Sequence, residues 1–284
     1  MSILKKIFCS SELNDKVGIC LGGGGALGFA HIGVLQSLED HGIFPQCIVG
    51  SSMGSIIGAL YAIGFSPAEM LQLIKDDKLY KVTKLMSFSA TLFKSGVSNH
   101  NTLRTLIKEL APHNSFEQLE KKLYVCVSNL NSAEYEIKHS GNELDKWVAA
   151  SSSIPGIFEA VKDADVYYVD GGLLNNMPAQ CLVRSCNTII GVDVIPLVAP
   201  SVLNKPTDTL AYSLRAVQHQ NSMEGRSLCH FIIEPKAIQE FHEFNYDAYQ
   251  TIYQHGYSAA TKYFVENPEM LKLGNVETAK RLSV

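Results

Sequence analysis

The sequence is short of charge and lacks any long apolar run, and each shortage excludes something. Lys, Arg, Asp and Glu make up 18% of 284 residues, with a formal net charge of −4. A surface that neutralises nucleic-acid phosphates needs a basic excess, so no nucleic-acid partner is expected. No apolar stretch reaches the roughly 18 residues that cross a bilayer, so no transmembrane helix is expected. The first ten residues hold too few apolar positions for a secretion signal. Ile3, Leu4, Ile7 and Phe8 around Lys5 and Lys6 read as a packed N-terminal segment or as a peripheral contact with a membrane surface. No Cys-x-x-Cys pair exists. Cys9, Cys20, Cys47, Cys126, Cys181, Cys186 and Cys229 stand singly, mostly in apolar runs. They read as small buried hydrophobes in a reducing, cytoplasmic compartment, not as disulfides or a zinc site. No metal and no cofactor are expected. Repeats, low-complexity tracts and a clear linker are also missing, so one domain over residues 1–284 is expected.

What is present is a large apolar content, 46%, enough for a substantial core. Short apolar runs alternate with helical patterns. Val17–Leu21 reads as a buried strand, and Phe29, Ile32, Leu35 and Leu38 recur on one helical face before His41-Gly42. Cys47–Val49 is a second strand, followed by a helix over Met53–Ile63 that Gly64 stops. Ser66-Pro67-Ala68-Glu69 has the form of a capping box with proline at the first helical position, opening a helix to about Asp77. Residues 80–100 are irregular and apolar, either a cover over an apolar substrate or a buried connector. Asn101–Leu110 reads as a helix, Leu123–Asn129 as a strand with Glu134–His139 beside it, and Leu144–Ser152 as a helix. Asp165–Asp170, Thr188–Ile195 and Phe231–Glu234 read as strands, and Thr207–Ser222 and Asp247–Val265 as helices. The alternation predicts an α/β fold: a mainly parallel central sheet with helices on both faces.

Three motifs carry chemistry. Gly50-Ser51-Ser52-Met53-Gly54 fits Gly-x-Ser-x-Gly between a strand and a helix, which places Ser52 on a sharp turn as a candidate nucleophile. The helix behind it aims N–H groups at any negative charge that forms there. Gly22–Gly28 contains Gly23-x-Gly25-x-x-Gly28, the dinucleotide fingerprint. That use also wants a carboxylate closing the second strand, where this chain has only Ile48–Ser52. The same loop can instead converge backbone N–H groups on an oxyanion. Asp170-Gly171-Gly172 ends a strand, and in a parallel sheet the ligand crevice lies beyond such ends. A carboxylate held close to Ser52 can take its proton directly; a plain turn is the other reading. His219, His230, His242 and His255 follow Asp170, and a histidine-based hydrolase would need one of them, His255 being the best placed in sequence.

Taken jointly, these motifs resemble the patatin-like phospholipases. The intervening segments agree: His31-Ile32-Gly33-Val34-Leu35, Ala150-Ser151-Ser152-Ser153-Ile154-Pro155-Gly156-Ile157-Phe158, and Asp170-Gly171-Gly172-Leu173-Leu174-Asn175-Asn176-Met177-Pro178. The resemblance covers about residues 17–235, with a helical extension over about 240–284. It looks nearest to the compact bacterial branch and is similar to the catalytic domain of neuropathy target esterase. It implies a three-layer patatin-like fold and a Ser–Asp dyad without histidine. Ser52 would be the nucleophile and Asp170 the base. Gly23, Gly24 and Gly25, helped by the N–H of Met53, would form the oxyanion hole, with Gly28, Gly50, Gly54, Gly171 and Gly172 shaping the motifs. The implied substrate is a lipid or other acyl ester. One departure is Leu27, where the family usually has Arg or Lys. It leaves room for a second expectation, a weak or inactive lipid-binding relative.

Overall fold

The computed structural model describes residues 16–76, 100–195 and 206–274. The N-terminal segment with Cys9, and residues 80–99 of the irregular stretch, lie outside them.

Seven strands form the main path of one sheet. They are β1 (Val17–Leu21), β2 (Cys47–Gly50), β3 (Lys122–Asn129), β5 (Val161–Asp163), β6 (Val166–Asp170), β7 (Thr188–Val192) and β8 (Phe231–Ile233). Their order is β5-β6-β3-β2-β1-β7-β8, and β4 (Glu134–Lys138) pairs with β3 off this path. From β3 to β8 every neighbour is parallel, while β4, β5 and β6 pair antiparallel. The middle strand of the parallel part is β1, with Ile19 level with Ile48 on one side and Ile190 on the other. Its five residues are all buried, as a central strand covered on both faces requires.

The two-residue period sorts these strands between two cores. Ile19, Leu21, Ile48, Val125, Val127, Ile190 and Val192 face the larger one. Cys20, Cys47, Val49 and Ile189 face a smaller one, with Met177, Leu182 and Cys186. Among the described residues the cysteines are free, and four of the six are buried. On the larger side lie α1 (Phe29–Asp40), α2 (Met53–Ile63) and α3 (Pro67–Lys75), with α4 (Asn101–Leu110) and α5 (Leu144–Ser151) nearer the β3–β6 end. The helix α6 (Pro206–Leu228) runs over the β6 and β7 ends, and α7 (Tyr249–Glu266) packs along α1.

The predicted elements recur with small shifts. The capping box at Ser66 and Glu69 is present in both directions, and α3 ends at Lys75 rather than near Asp77. Thr188–Ile195 shortens to β7; just past it, Asp193 accepts the Ile195 N–H on its carboxylate, which also pairs with Arg226. The helix predicted over Thr207–Ser222 continues to Leu228. Among the described residues no single helix is long and apolar enough to cross a membrane.

Candidate active site

β2 leads straight into Ser51 and Ser52, and α2 begins at Met53. Ser52 has φ 53° and ψ −127°, a backbone state that a residue with a Cβ adopts only when its surroundings impose it. Those surroundings are visible. The Ser52 N–H donates to Ser151 Oγ at 3.0 Å, and its carbonyl accepts from Ser55 Oγ at 2.7 Å. The result is an elbow that lifts the Ser52 hydroxyl off the sheet edge. That hydroxyl donates to Asp170 Oδ2 at 2.6 Å.

Asp170 is the last residue of β6, and its backbone is fixed at both ends. Its N–H donates to the Ser153 carbonyl at 2.9 Å, and its own carbonyl accepts from Ser128 Oγ at 2.8 Å. The second carboxylate oxygen, Oδ1, accepts from the Gly172 N–H at 2.8 Å. Ser52 and Asp170 are only 4% and 2% exposed. Burial pushes the Asp170 carboxyl up from its ordinary 3.8 to about 7, against the smaller opposing pull of the Ser52 and Gly172 hydrogen bonds. A carboxylate of that basicity is suited to accept a hydroxyl proton near neutral pH.

The glycine loop comes next. His31 is fully buried and burial lowers its pKa to about 4, so the ring is neutral. Its Nε2 lies 2.7 Å from the Gly22 carbonyl, which can only accept, so Nε2 carries the proton. Gly23 donates its N–H to Asn176 Oδ1 at 3.1 Å. Ala26 donates to the Glu243 carbonyl at 2.8 Å and Leu27 to that of Gly24. Among the described residues, this leaves the N–H groups of Gly24, Gly25 and Met53 without a protein acceptor. Gly25 has φ 56°, and a Cβ there would lie 2.3 Å from the Glu243 carbonyl oxygen, so only glycine fits this turn. Gly28, Gly50, Gly54 and Gly171 mark close approaches to Met53, Gly54, Leu21 and Cys126 respectively.

Ser52, Asp170, Gly24 and Gly25 meet on the wall of one cavity of about 800 Å³, part of it open to solvent. The rest of its lining is mainly apolar, from Ile154, Pro155, Ile157, Ile195, Leu210, Leu214 and Phe244, with Gln218 and Glu243 as polar exceptions. An apolar slot ending on a few convergent polar groups fits an acyl chain attached to a reactive carbonyl. No imidazole reaches the pair. His230 accepts from the Ile189 N–H, His242 from that of Phe244, and His255 faces Glu240. His219 has no partner at Nδ1 and bonds to neither Ser52 nor Asp170. Among the described residues no group of three or more metal-ligating side chains occurs.

Four supporting residues carried no assigned role in the sequence reading: His31, Ser128, Ser151 and Asn176. The motif segments contain all but Ser128; the partner of His31 lies nine residues away, but those of Ser128, Ser151 and Asn176 lie 42, 99 and 153 residues off, and spacing does not reveal them. Asn176 is fully buried and holds Gly23 across the crevice. Asn176→Ala strands that N–H, and the cost expected for a buried donor without an acceptor is about 1–3 kcal/mol. Urea unfolding measures it as a lower midpoint at unchanged slope. Leu27 is fully buried in the larger core and is not part of the cavity wall.

Over 181 residues the chain is 32% identical to Lysophospholipase NTE1 of Candida glabrata, covering 63% of this chain and 10% of the relative. Against Lysophospholipase NTE1 of Saccharomyces cerevisiae it is 29% identical over 184 residues, 63% of this chain and 11% of that one. The chain therefore spans about a tenth of the length of these curated relatives. The crystal structure of VipD from Legionella pneumophila superposes with a TM-score of 0.55 at 14% identity, over 90% of this chain and 68% of that one, a likeness of fold. The Patatin-like phospholipase family matches residues 19–183, from the middle of β1 through the glycine loop, the elbow and Asp170. With more than half its length inside that match, the chain belongs to the patatin-like phospholipase family.

Proposed function

We propose that this protein is a lipid acyl hydrolase that works through an acyl-Ser52 intermediate with Asp170 as its base. The observation that carries the proposal is the buried 2.6 Å hydrogen bond from Ser52 Oγ to Asp170 Oδ2. As Oγ bonds to the carbonyl carbon of the substrate, its proton passes to Oδ2 and the carbonyl π electrons move onto oxygen. The free N–H groups of Gly24 and Gly25, with that of Met53 at the start of α2, are placed to receive the oxyanion. Gly23 supports the loop through Asn176 instead. Collapse of the intermediate breaks the ester C–O bond, and the leaving alkoxide takes the proton back from Asp170. Water then repeats the sequence on the acyl-serine, with Asp170 again as base.

The family and the lysophospholipases among its relatives support a glycerolipid as substrate. The apolar cavity wall supports a fatty acyl chain, and Leu210, 46% exposed at the cavity, supports delivery from the surface of a lipid aggregate as a peripheral contact. The second expectation, a weak or inactive lipid-binding relative, rests on Leu27, which is buried and outside the cavity wall.

A fluorophosphonate should label Ser52 stoichiometrically, and Ser52→Ala should abolish both labelling and turnover of a long-chain acyl ester while leaving the protein folded. Saturable lipid binding by the wild type without labelling or turnover overturns the enzyme reading.

A further inference from the structure

The cavity has a charged corner that the acyl-transfer chemistry does not use. Its lining includes the carboxylate residue Glu243 and no lysine or arginine. The cation that answers Glu243 is Arg215, whose Nη2 lies 3.2 Å from Glu243 Oε2. Arg215 stands on α6 beside Leu214, four residues after Ala211 and three before Gln218, and these three line the cavity. It therefore occupies the flank of the same helical face.

The guanidinium is enclosed but under-used. Its side chain is 13% exposed, and Nε is buried without any hydrogen-bond partner. The ring of Tyr212 lies 6.0 Å from the guanidinium carbon, which leaves the donors in the guanidinium plane uncommitted by that contact. Arginine presents five donors in a fixed fork suited to two oxygens of a phosphate. A single ion pair does not use that fork, and an orphaned buried N–H is a cost that a bound anion removes. The place is also right. Glu243 accepts the Ala26 N–H through its carbonyl, so this corner abuts the glycine loop that faces the reacting carbonyl. In a glycerophospholipid the phosphate lies one glycerol backbone away from the acyl ester.

We propose that Arg215 is a specificity-determining residue that binds the phosphate of a lysophospholipid headgroup, with Glu243 of the cavity wall holding the guanidinium just behind that wall until substrate arrives. The proposal takes its substrate class from the lipid-hydrolase reading. Its test does not depend on turnover, so the two fail separately.

The test measures binding of two ether lipids that no esterase cleaves, 1-O-alkyl lysophosphatidylcholine and the matching 1-O-alkylglycerol, below their micelle concentrations. For Arg215→Gln the dissociation constant of the phosphate lipid should rise about tenfold or more, as loss of a charge-assisted contact implies, while that of the neutral lipid stays within about twofold. Arg215→Gln alone leaves the Glu243 carboxylate unpaired, which would repel phosphate by itself. The double variant Arg215→Gln with Glu243→Gln separates these causes: it should remain weak toward the phosphate lipid. Recovery of phosphate-lipid binding in the double variant overturns the proposal, as do equal losses for both lipids or no loss for either. Inorganic phosphate that displaces the lipid from wild type as well as glycerophosphocholine does would mark a site for free phosphate and likewise overturn the headgroup assignment.

Discussion

Asp170→Asn should lower kcat for acyl-ester hydrolysis on the order of 10³- to 10⁴-fold and leave the protein folded. The amide is the same size and still accepts at one atom, so the Gly172 N–H keeps its partner. What it loses is the ability to hold the Ser52 proton. The pH dependence gives a second readout. With Asp170 as the proposed base, activity requires its ionised form, and burial places its pKa at about 7. In the wild type, kcat/KM should therefore climb about tenfold per pH unit below 7 and level off above it. In Asp170→Asn the residual rate should lose that limb. Stability runs the other way. A carboxyl whose pKa is raised on folding is bound to its proton more tightly in the native state. Its stabilising contribution is complete below the ordinary value of 3.8 and is lost as pH rises to about 7. Asp170→Asn removes this dependence, so its unfolding free energy should exceed the wild type's margin most clearly above pH 7. A full rate with the asparagine, or an unchanged acid limb, would show that another group is the base.

The parts of this site that can be read from the chain are those fixed locally. Gly50–Gly54 lies between a strand and a helix of plain periodicity, and Asp170 closes a strand before two glycines, so the placement of both candidate residues follows from the two-residue and 3.6-residue patterns. What those patterns omit is whatever depends on contacts distant in sequence. Gly23 belongs to the predicted hole, yet its N–H goes to Asn176, 153 residues on. No spacing rule distinguishes it from Gly24. His255-Gly256 drew notice for its imidazole, but the residue that matters there is Gly256. A Cβ on it would lie 2.1 Å from the Ala30 carbonyl oxygen, and one on Gly33 would lie 2.0 Å from that of Tyr253, so α1 and α7 touch backbone to backbone. Tyr249, Tyr253 and Tyr257 are for this reason only half-buried on α7. Ile252, Gly256, Ala260 and Phe264 are its buried stripe, and the tyrosines flank it. The three residues of β5 are too short to carry a period at all; they pair because β6 offers an edge.

Gly54→Ala should destabilise the fold by about 3 kcal/mol or more and take the activity with it, although helix propensity alone predicts the reverse. Gly54 is the second residue of α2, and alanine in a helix interior is favoured over glycine by about 1 kcal/mol. Against that gain stands the Leu21 carbonyl oxygen, 2.1 Å from the Cβ that alanine would add, with the Gly22 carbonyl oxygen at 2.7 Å. Both are backbone atoms of the central strand and the glycine loop, so neither can swing aside as a side chain does. Relief requires α2 to move away from β1, and Ser52 sits at the end of α2 that would move. Overpacking against a rigid partner costs roughly 1–3 kcal/mol even where side chains yield, and more where they cannot. Gly58, four residues along the same helix, supplies the comparison. A Cβ there meets Ile48 Cγ2 at 2.9 Å, a side-chain methyl that can shift, and next Leu123 Cδ1 at 3.5 Å. Gly58→Ala should therefore lie within about 1 kcal/mol of wild type, the propensity gain offsetting the crowding, and keep its fluorophosphonate labelling. Denaturant midpoints and labelling rates of the two variants decide the matter. Equal stability of Gly54→Ala and Gly58→Ala would mean that the contact between α2 and β1 is not what holds the elbow.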